Sequence, residues 1–132
     1  MAVINLADKF GRIEEHWRPK VVAALNGQEV KLVKFEGVFP WHYHADGDEL
    51  FMVWKGSMQI EFRTRSDDLD PDRPAERIEA LNVGELTVVP KGQEHRTVAV
   101  TEAEVLIFEP AAVRNTGNVV DDTFTAPTGV TL

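Results

Sequence analysis

After Pro19 the sequence breaks into short apolar runs separated by glycine, proline and acidic turns, and this rhythm constrains the fold more than any other feature. Val21 to Leu25 and Glu29 to Phe35 flank Asn26-Gly27, the dipeptide best suited to a tight hairpin with positive backbone angles. Further strand-like runs follow at Leu50–Trp54, Met58–Arg63, Leu86–Val89, His95–Val100 and Val105–Phe108. In Met58–Arg63 the apolar Met58, Ile60 and Phe62 alternate with Gln59, Glu61 and Arg63, as in a strand with one wet face. Many short strands with little helix between them predict an all-β antiparallel sandwich or barrel.

The segments at either end read differently. Leu6, Phe10, Ile13 and Trp17 recur at helical spacing, Asn5 suits the N-cap and Asp8 the first turn, and Pro19 stops the run. A helix laid apolar-side down on the domain or on a partner subunit is expected there. Thr64 to Arg77 is almost wholly charged and holds two prolines, so it reads as a solvated loop. Its aspartates, at 67, 68, 70 and 72, lack the spacing, glycine and closing glutamate of an EF-hand calcium loop. Val113 to Leu132 is expected to pack along the outside or fray. The division is therefore one domain over 1–132, with a helical segment at 1–19, a barrel at 20–112 and a tail at 113–132.

Composition excludes several functions. With 132 residues, 43% apolar and 27% charged, the chain can bury one sizeable core. A formal charge of -8 argues against a nucleic-acid surface or an anionic membrane as partner. No apolar run is long enough to span a bilayer, and the first ten residues lack the basic start and apolar stretch of a signal peptide. Cysteine is absent, which removes disulfides and thiolate metal sites. A cytoplasmic protein is the expectation.

The chemistry gathers at Pro40 to Phe51, P-W-H-Y-H-A-D-G-D-E-L-F. On a strand, His42 and His44 project to the same face with Trp41 and Tyr43 opposite, packing outward under the N-terminal hairpin or at a subunit interface. Asp46-Gly47 offers a tight turn, and Glu49 starts the returning strand. Two nitrogens and an oxygen form most of a transition-metal site. By itself the stretch also fits two surface histidines beside a hairpin, although Phe39, Trp41, Leu50 and Phe51 suit a buried site better.

The wider pattern is Gly37-x4-His42-x-His44-x4-Glu49-x6-Gly56, followed by Gly84-x5-Pro90-x-Gly92-x2-His95. It resembles the two signature motifs of the cupin superfamily, and the chain is similar to the small single-domain cupins often labelled mannose-6-phosphate-isomerase-like. Two positions depart from that pattern. Four residues rather than five separate Gly37 from His42, and Ala99 stands where asparagine usually closes the second motif. A local difference in hairpin or bulge is the expected consequence. The resemblance implies a double-stranded β-helix, the cupin jelly-roll barrel, preceded here by the short N-terminal helix. It also implies that His42, His44, Glu49 and His95 hold one divalent transition metal per chain: Mn, Fe, Ni or Zn. An octahedral ion so held keeps two positions for water, substrate or dioxygen.

Strand parity puts Phe51 and Val53 beside Glu49, and Thr97 and Ala99 beside His95, an apolar lining suited to a small-molecule ligand. Gln59, Gln93, Arg96, Glu109 and Arg114 are the candidate polar contacts, unranked. His16 is expected to be structural or exposed and not a fifth ligand. Near the motifs the only cations are the scattered Lys55, Lys91 and Arg96, too few for a phosphosugar cradle. Two functions remain open: a metal-dependent enzyme doing Lewis-acid isomerase or lyase chemistry or dioxygenation, and a non-enzymatic cupin whose metal anchors a ligand or staples the barrel. A homodimer is expected in either case.

Overall fold

The computed structural model describes residues 2–132. Seven strands follow one helix: α1 (Leu6–Gly11), β1 (Lys20–Leu25), β2 (Gln28–Val38), β3 (Glu49–Lys55), β4 (Met58–Arg63), β5 (Arg77–Leu81), β6 (Leu86–Val89) and β7 (Glu94–Pro110). All named strand pairs are antiparallel. The result is the jelly-roll barrel expected of the motifs.

β7 is the spine. Its first half pairs with β4, from Glu94 against Arg63 to Val98 against Gln59. Its second half lies between β2 and β3, with Ile107 opposite both Lys31 and Phe51. One long strand therefore serves two parts of the barrel. The sequence rhythm suggested a break at Thr101–Glu104, and the structure runs straight through it. The charged side chains there stand on the outside and find partners: Glu102 meets His16 at 2.7 Å and Glu104 lies 3.8 Å from Lys34. Ala103, fully buried between them, carries the strand across.

Hairpin β1–β2 turns at Asn26-Gly27 with φ of 53° and 74°, as the dipeptide requires. A register shift between Phe35 and Gly37 marks the irregularity expected where the first motif is one residue short. β5 was not anticipated. Ile78 faces solvent and only Leu81 is buried, so the segment lacks an apolar alternation, and pairing with β4 makes it a strand. The acidic stretch before it is a loop, as expected, stitched by Asp68 and Asp70 accepting from backbone amides two residues on.

Helix α1 is shorter than the spacing suggested. Asn5 caps it, accepting from the Asp8 amide at 2.9 Å, but the helix ends at Gly11 and Arg12. Phe10 and Ile13 still bury against Leu32, so the apolar-side-down expectation holds for them. Trp17 lies beyond the helix with φ of 64° and packs elsewhere. The tail also departs from expectation, because it neither frays nor simply coats the barrel. Thr116 is fully buried, Phe124 packs on the core, and Thr131 forms a bridge to Val21. Among the described residues no helix is long and apolar enough to cross a membrane.

The main core runs through the barrel as Val33, Phe35, Phe39, Phe51, Val53, Met58, Ile60, Phe62, Val105 and Ile107, with smaller neighbours. Fully burying side chains of this size stabilises by about 1.5–3 kcal/mol each. The metal-motif side chains grow from the same interior.

Candidate metal centre

Backbone hydrogen bonds bring the two motifs together. His42 and His95 form an isolated antiparallel bridge, each amide donating to the other's carbonyl at 3.0 and 2.9 Å. The Gly92 amide donates to the His44 carbonyl at 2.8 Å, and the Lys91 amide to the Asp48 carboxylate at 2.9 Å. Glu49 opens β3 opposite Val89 of β6. Residues about fifty positions apart thus share one small patch of sheet and turn.

The stretch between the histidines and Glu49 is not the tight positive-φ turn suggested by Asp46-Gly47. Bends fall at Ala45 and Asp46, and His42 and His44 lie outside any named strand. Gly47 is required for a different reason: a Cβ there would lie 2.5 Å from Cγ of Pro110. Trp41, expected to pack outward, is largely covered. It is buried beneath the guanidinium groups of Arg63 and Arg96, at 4.2 and 4.7 Å from its ring.

His42, His44, Glu49 and His95 are all buried and each offers a ligand atom within 4.8 Å of the others. Glu49 Oε1 lies 3.2 Å from His44 Nε2 and 3.3 Å from His95 Nε2. Neither contact aligns as a hydrogen bond, so all three atoms are buried without a partner. Leaving such groups unsatisfied is costly, and one cation satisfies them together. The spacing fits as well: donors about 2.1 Å from one ion stand about 3.0 Å apart at a right angle and about 3.4 Å at the tetrahedral angle.

Protonation favours a cation too. Burial holds His42 well below the ordinary histidine range, helped by the nearby His95 and His44, so its ring is neutral. Burial alone would push Glu49 up, but contacts with His44 and His95 outweigh it and hold the carboxyl well below its usual range. The far nitrogens are also engaged. Nδ1 of His42 lies 2.8 Å from the Pro40 carbonyl and Nδ1 of His95 lies 2.9 Å from the Gln93 carbonyl. Each donates there as Nδ1–H, which turns Nε2 toward the cluster as the candidate ligand nitrogen.

The polar contacts left unranked by the sequence now separate. Glu109 lines the cavity beside His42 and Glu49, whereas Gln59, Gln93, Arg96 and Arg114 do not. Glu109 Oε1 accepts from the buried Lys31 at 2.8 Å, and its Oε2 is buried without a partner. Burial, reinforced by the Glu49 charge and opposed by Lys31, pushes Glu109 up to about 9 in the metal-free chain. Lys31, on β2, escaped notice because a lysine in a strand normally marks the wet face. The cavity measures about 10 Å³ and is walled by Trp17, Phe35, Phe39, Phe51 and Ile107. Phe51 and Thr97 line it as parity suggested, whereas Val53 and Ala99 pack in the core instead. His16 is bonded to Glu102 and takes no part.

A jelly-roll barrel with three buried imidazoles and a carboxylate converging inside it places the chain among small barrel proteins with an interior cluster suited to a metal. The chain belongs to the cupin family, whose model, described as Cupin, matches residues 16–130. It is 32% identical over 93 residues to the uncharacterised protein YdbB of Bacillus subtilis (strain 168), covering 70% of this chain and 73% of that one. A crystal structure of a cupin-2 domain containing protein from Shewanella frigidimarina NCIMB 400 is 44% identical, with a TM-score of 0.72, over 82% of this chain and 94% of that one. A hydroquinone 1,2-dioxygenase, PnpCD, solved with Cd2+ and 4-hydroxybenzonitrile, shares the fold at 21% identity and a TM-score of 0.66, over 79% of this chain and 70% of that one.

Proposed function

We propose that this cupin is a metal-dependent enzyme acting on a small organic molecule, with His42, His44, Glu49 and His95 holding one divalent transition ion. The observation that carries the proposal is the convergence of three buried, partnerless donor atoms on one point. Three neutral imidazoles and a carboxylate suit Mn, Fe, Ni or Zn and suit calcium or magnesium poorly. Such an ion supplies Lewis acidity or, as Fe(II), a site for dioxygen chemistry. The protein's own residues do the rest. His42 and His95 are oriented by their Nδ1–H bonds, Phe39 and Phe51 pack against the rings of His42 and His95, and the aromatic wall excludes water. Glu109 presents Oε2 to the cavity as the one hydrogen-bonding carboxyl beyond the four. The pairing of a metal with a small aromatic molecule in the hydroquinone dioxygenase supports reading this barrel as a small-molecule site.

One observation favours a second reading, a non-enzymatic cupin whose metal anchors a ligand or staples the barrel. A cavity of about 10 Å³ has room for about one water molecule, so a larger substrate must displace a wall. Reconstitution with each metal, followed by turnover and oxygen-uptake assays, separates the two. Activity confined to one metal and lost in His44→Ala supports the enzyme; stabilisation by metal without turnover of any candidate class overturns it. A homodimer in the cytoplasm completes the proposal. The exposed Leu86 and Val88 on strand β6, at the end of the sheet order, support an interface, and light scattering tests it.

A further inference from the structure

Of the eleven residues around the metal cavity, eight are buried: Phe35, Phe39, His42, Glu49, Phe51, Thr97, Ile107 and Glu109. The three partly exposed ones are Trp17, Pro19 and Asn115. None of these three lies in a strand. Trp17 and Pro19 precede β1, and Asn115 follows β7. The partly exposed part of the lining is therefore the seam where the N-terminal segment meets the C-terminal tail.

Trp17 is held across that seam with unusual thoroughness. Its φ of 64° lies in a region that bulky side chains seldom adopt and that persists only where surroundings impose it. Its amide donates to the Lys34 carbonyl at 2.9 Å, and its indole Nε1 donates to the Glu36 carbonyl at 3.0 Å. Its own carbonyl accepts from Asn115 Nδ2 at 3.1 Å, and its ring stands 4.7 Å from that of Phe124. Asn115 is itself locked, donating to the Phe124 carbonyl at 2.8 Å and accepting from the Ala126 amide at 2.9 Å. Neither terminal segment contributes a donor to the four-residue cluster. Together they set how far the cavity extends.

We infer that Trp17 is the specificity-determining wall of the metal cavity, that ligands pass through the seam it forms with Asn115, and that the ligand is a small, apolar-bodied molecule with an oxygen donor. This inference deepens the function proposed above and rests on it for the role of the metal. The chemistry of the walls sets the class. Four aromatic rings and Ile107 face the ligand body, and the polar side chains are those of His42, Glu49, Glu109, Thr97 and Asn115. A phosphorylated ligand has no partner there, because the one buried cation nearby, Lys31, is already bonded to Glu109. With Trp17 in place the free space is about one water; removing the indole would add an aromatic-sized space to the cavity that His42 and Glu49 line.

Two arms test the inference, one without metal. In metal-free protein, benzene is titrated while the Ile107 methyl resonances are followed. Trp17→Ala is expected to show saturable shifts and the wild type none; absence of saturable shifts in a folded Trp17→Ala overturns the enlarged cavity. In Co(II)-loaded protein, azide and benzohydroxamate are titrated by visible spectroscopy. Benzohydroxamate is expected to bind Trp17→Ala at least about 10-fold more tightly than wild type, while azide changes by less than about 3-fold. Trp17→Phe and Asn115→Ala keep the inference testable if Trp17→Ala does not fold. Asn115→Ala frees the seam and enlarges the cavity far less than Trp17→Ala does, so benzohydroxamate should associate at least about 5-fold faster with little change in affinity. Association within about 2-fold of wild type in both variants overturns the seam as the route. If wild type fails to take up Co(II) at all, the metal reading fails, and the benzene arm still decides the role of Trp17.

Discussion

Replacing Glu109 by Gln in metal-free protein tests the interior electrostatics quantitatively. Two influences compete at this carboxyl. The Lys31 ammonium at 2.8 Å favours the charged form, whereas burial and the Glu49 carboxylate disfavour it. Because Oε2 has no partner and both Lys31 and Glu109 are out of water, burial wins and Glu109 is pushed up to about 9. The unfolded chain has the ordinary value of about 4.3, so between roughly pH 5.5 and 8 the native state binds about one proton more than the unfolded state. A raised value means stability that is fully present below the unfolded value and lost as pH climbs toward the folded one. The loss is about 1.4 kcal/mol per pH unit, or about 2.7 kcal/mol from pH 6 to pH 8. Gln cannot ionise and still offers an oxygen to Lys31, so the variant lacks this slope. Urea unfolding of both proteins with chelator present at pH 6, 7 and 8, followed by tryptophan fluorescence, gives the difference directly, and contributions common to both, such as that of His42, cancel. The stability of wild type relative to the variant should fall by about 2.7 kcal/mol over that range. A difference that stays constant within about 0.5 kcal/mol would show that Lys31 keeps Glu109 ionised and would refute the reasoning.

His44→Ala removes one of four donors and should weaken metal binding by at least about 100-fold, read by competition with a chelating dye; unchanged affinity removes His44 from the ligand set. Gly117→Ala puts a Cβ 2.2 Å from the Tyr43 carbonyl oxygen at φ of 56°, and should destabilise by about 3 kcal/mol or more while also lowering metal affinity. Gly27→Ala, with a similar φ of 74° but open space around it, should cost only about 1 kcal/mol, so equal effects in thermal melts would discredit the contact. Stripping bound metal with chelator should lower the melting temperature, by the equivalent of about 4 kcal/mol where free metal had stood at a thousand times its Kd; a melt indifferent to chelator excludes a stabilising ion.

Local patterns carried the parts of the fold that depend on local physics. Asn26-Gly27 and the alternation in β4 each placed an element from a few adjacent residues, whereas the four candidate donors came from the resemblance of the two spaced motifs to the cupin pattern. What stayed hidden depends on distant partners. β5 is a strand because β4 offers it an edge, and β7 continues through Thr101–Glu104, where His16 and Lys34 partner the carboxylates of its outer face. Trp17 fits the helical spacing of Leu6, Phe10 and Ile13, yet a 6-residue helix has little stability of its own, and the Phe124 ring and the Glu36 and Lys34 carbonyls hold it elsewhere. Glu109 was visible only as one of five polar residues, since nothing local reveals that Lys31 accompanies it inward.

The tail shows how closely the fold and the candidate site depend on each other. Val113 to Leu132 has little apolar periodicity, yet Gly117 sits where any side chain would strike the Tyr43 backbone, and Asn118 pairs with Tyr43 in both directions, its Oδ1 accepting from the Tyr43 amide at 2.9 Å and its amide donating to the Tyr43 carbonyl at 3.2 Å. Tyr43 lies between His42 and His44 outside any named strand, so this clamp supplies order that a ladder would otherwise provide. Thr116, fully buried, is bonded through its hydroxyl to Val119 and Thr125, which fixes the clamp to the remainder of the tail. The imidazoles are therefore positioned from three sides: by β7 through His95, by aromatic packing from Phe39 and Phe51, and by a tail that also locks Trp17 through Asn115. A site supported in this way transmits damage widely. Variants of the clamp residues Thr116, Gly117 and Asn118 should impair metal binding although none of them is a donor, while variants on the outer faces of β5 and β6 should leave it intact.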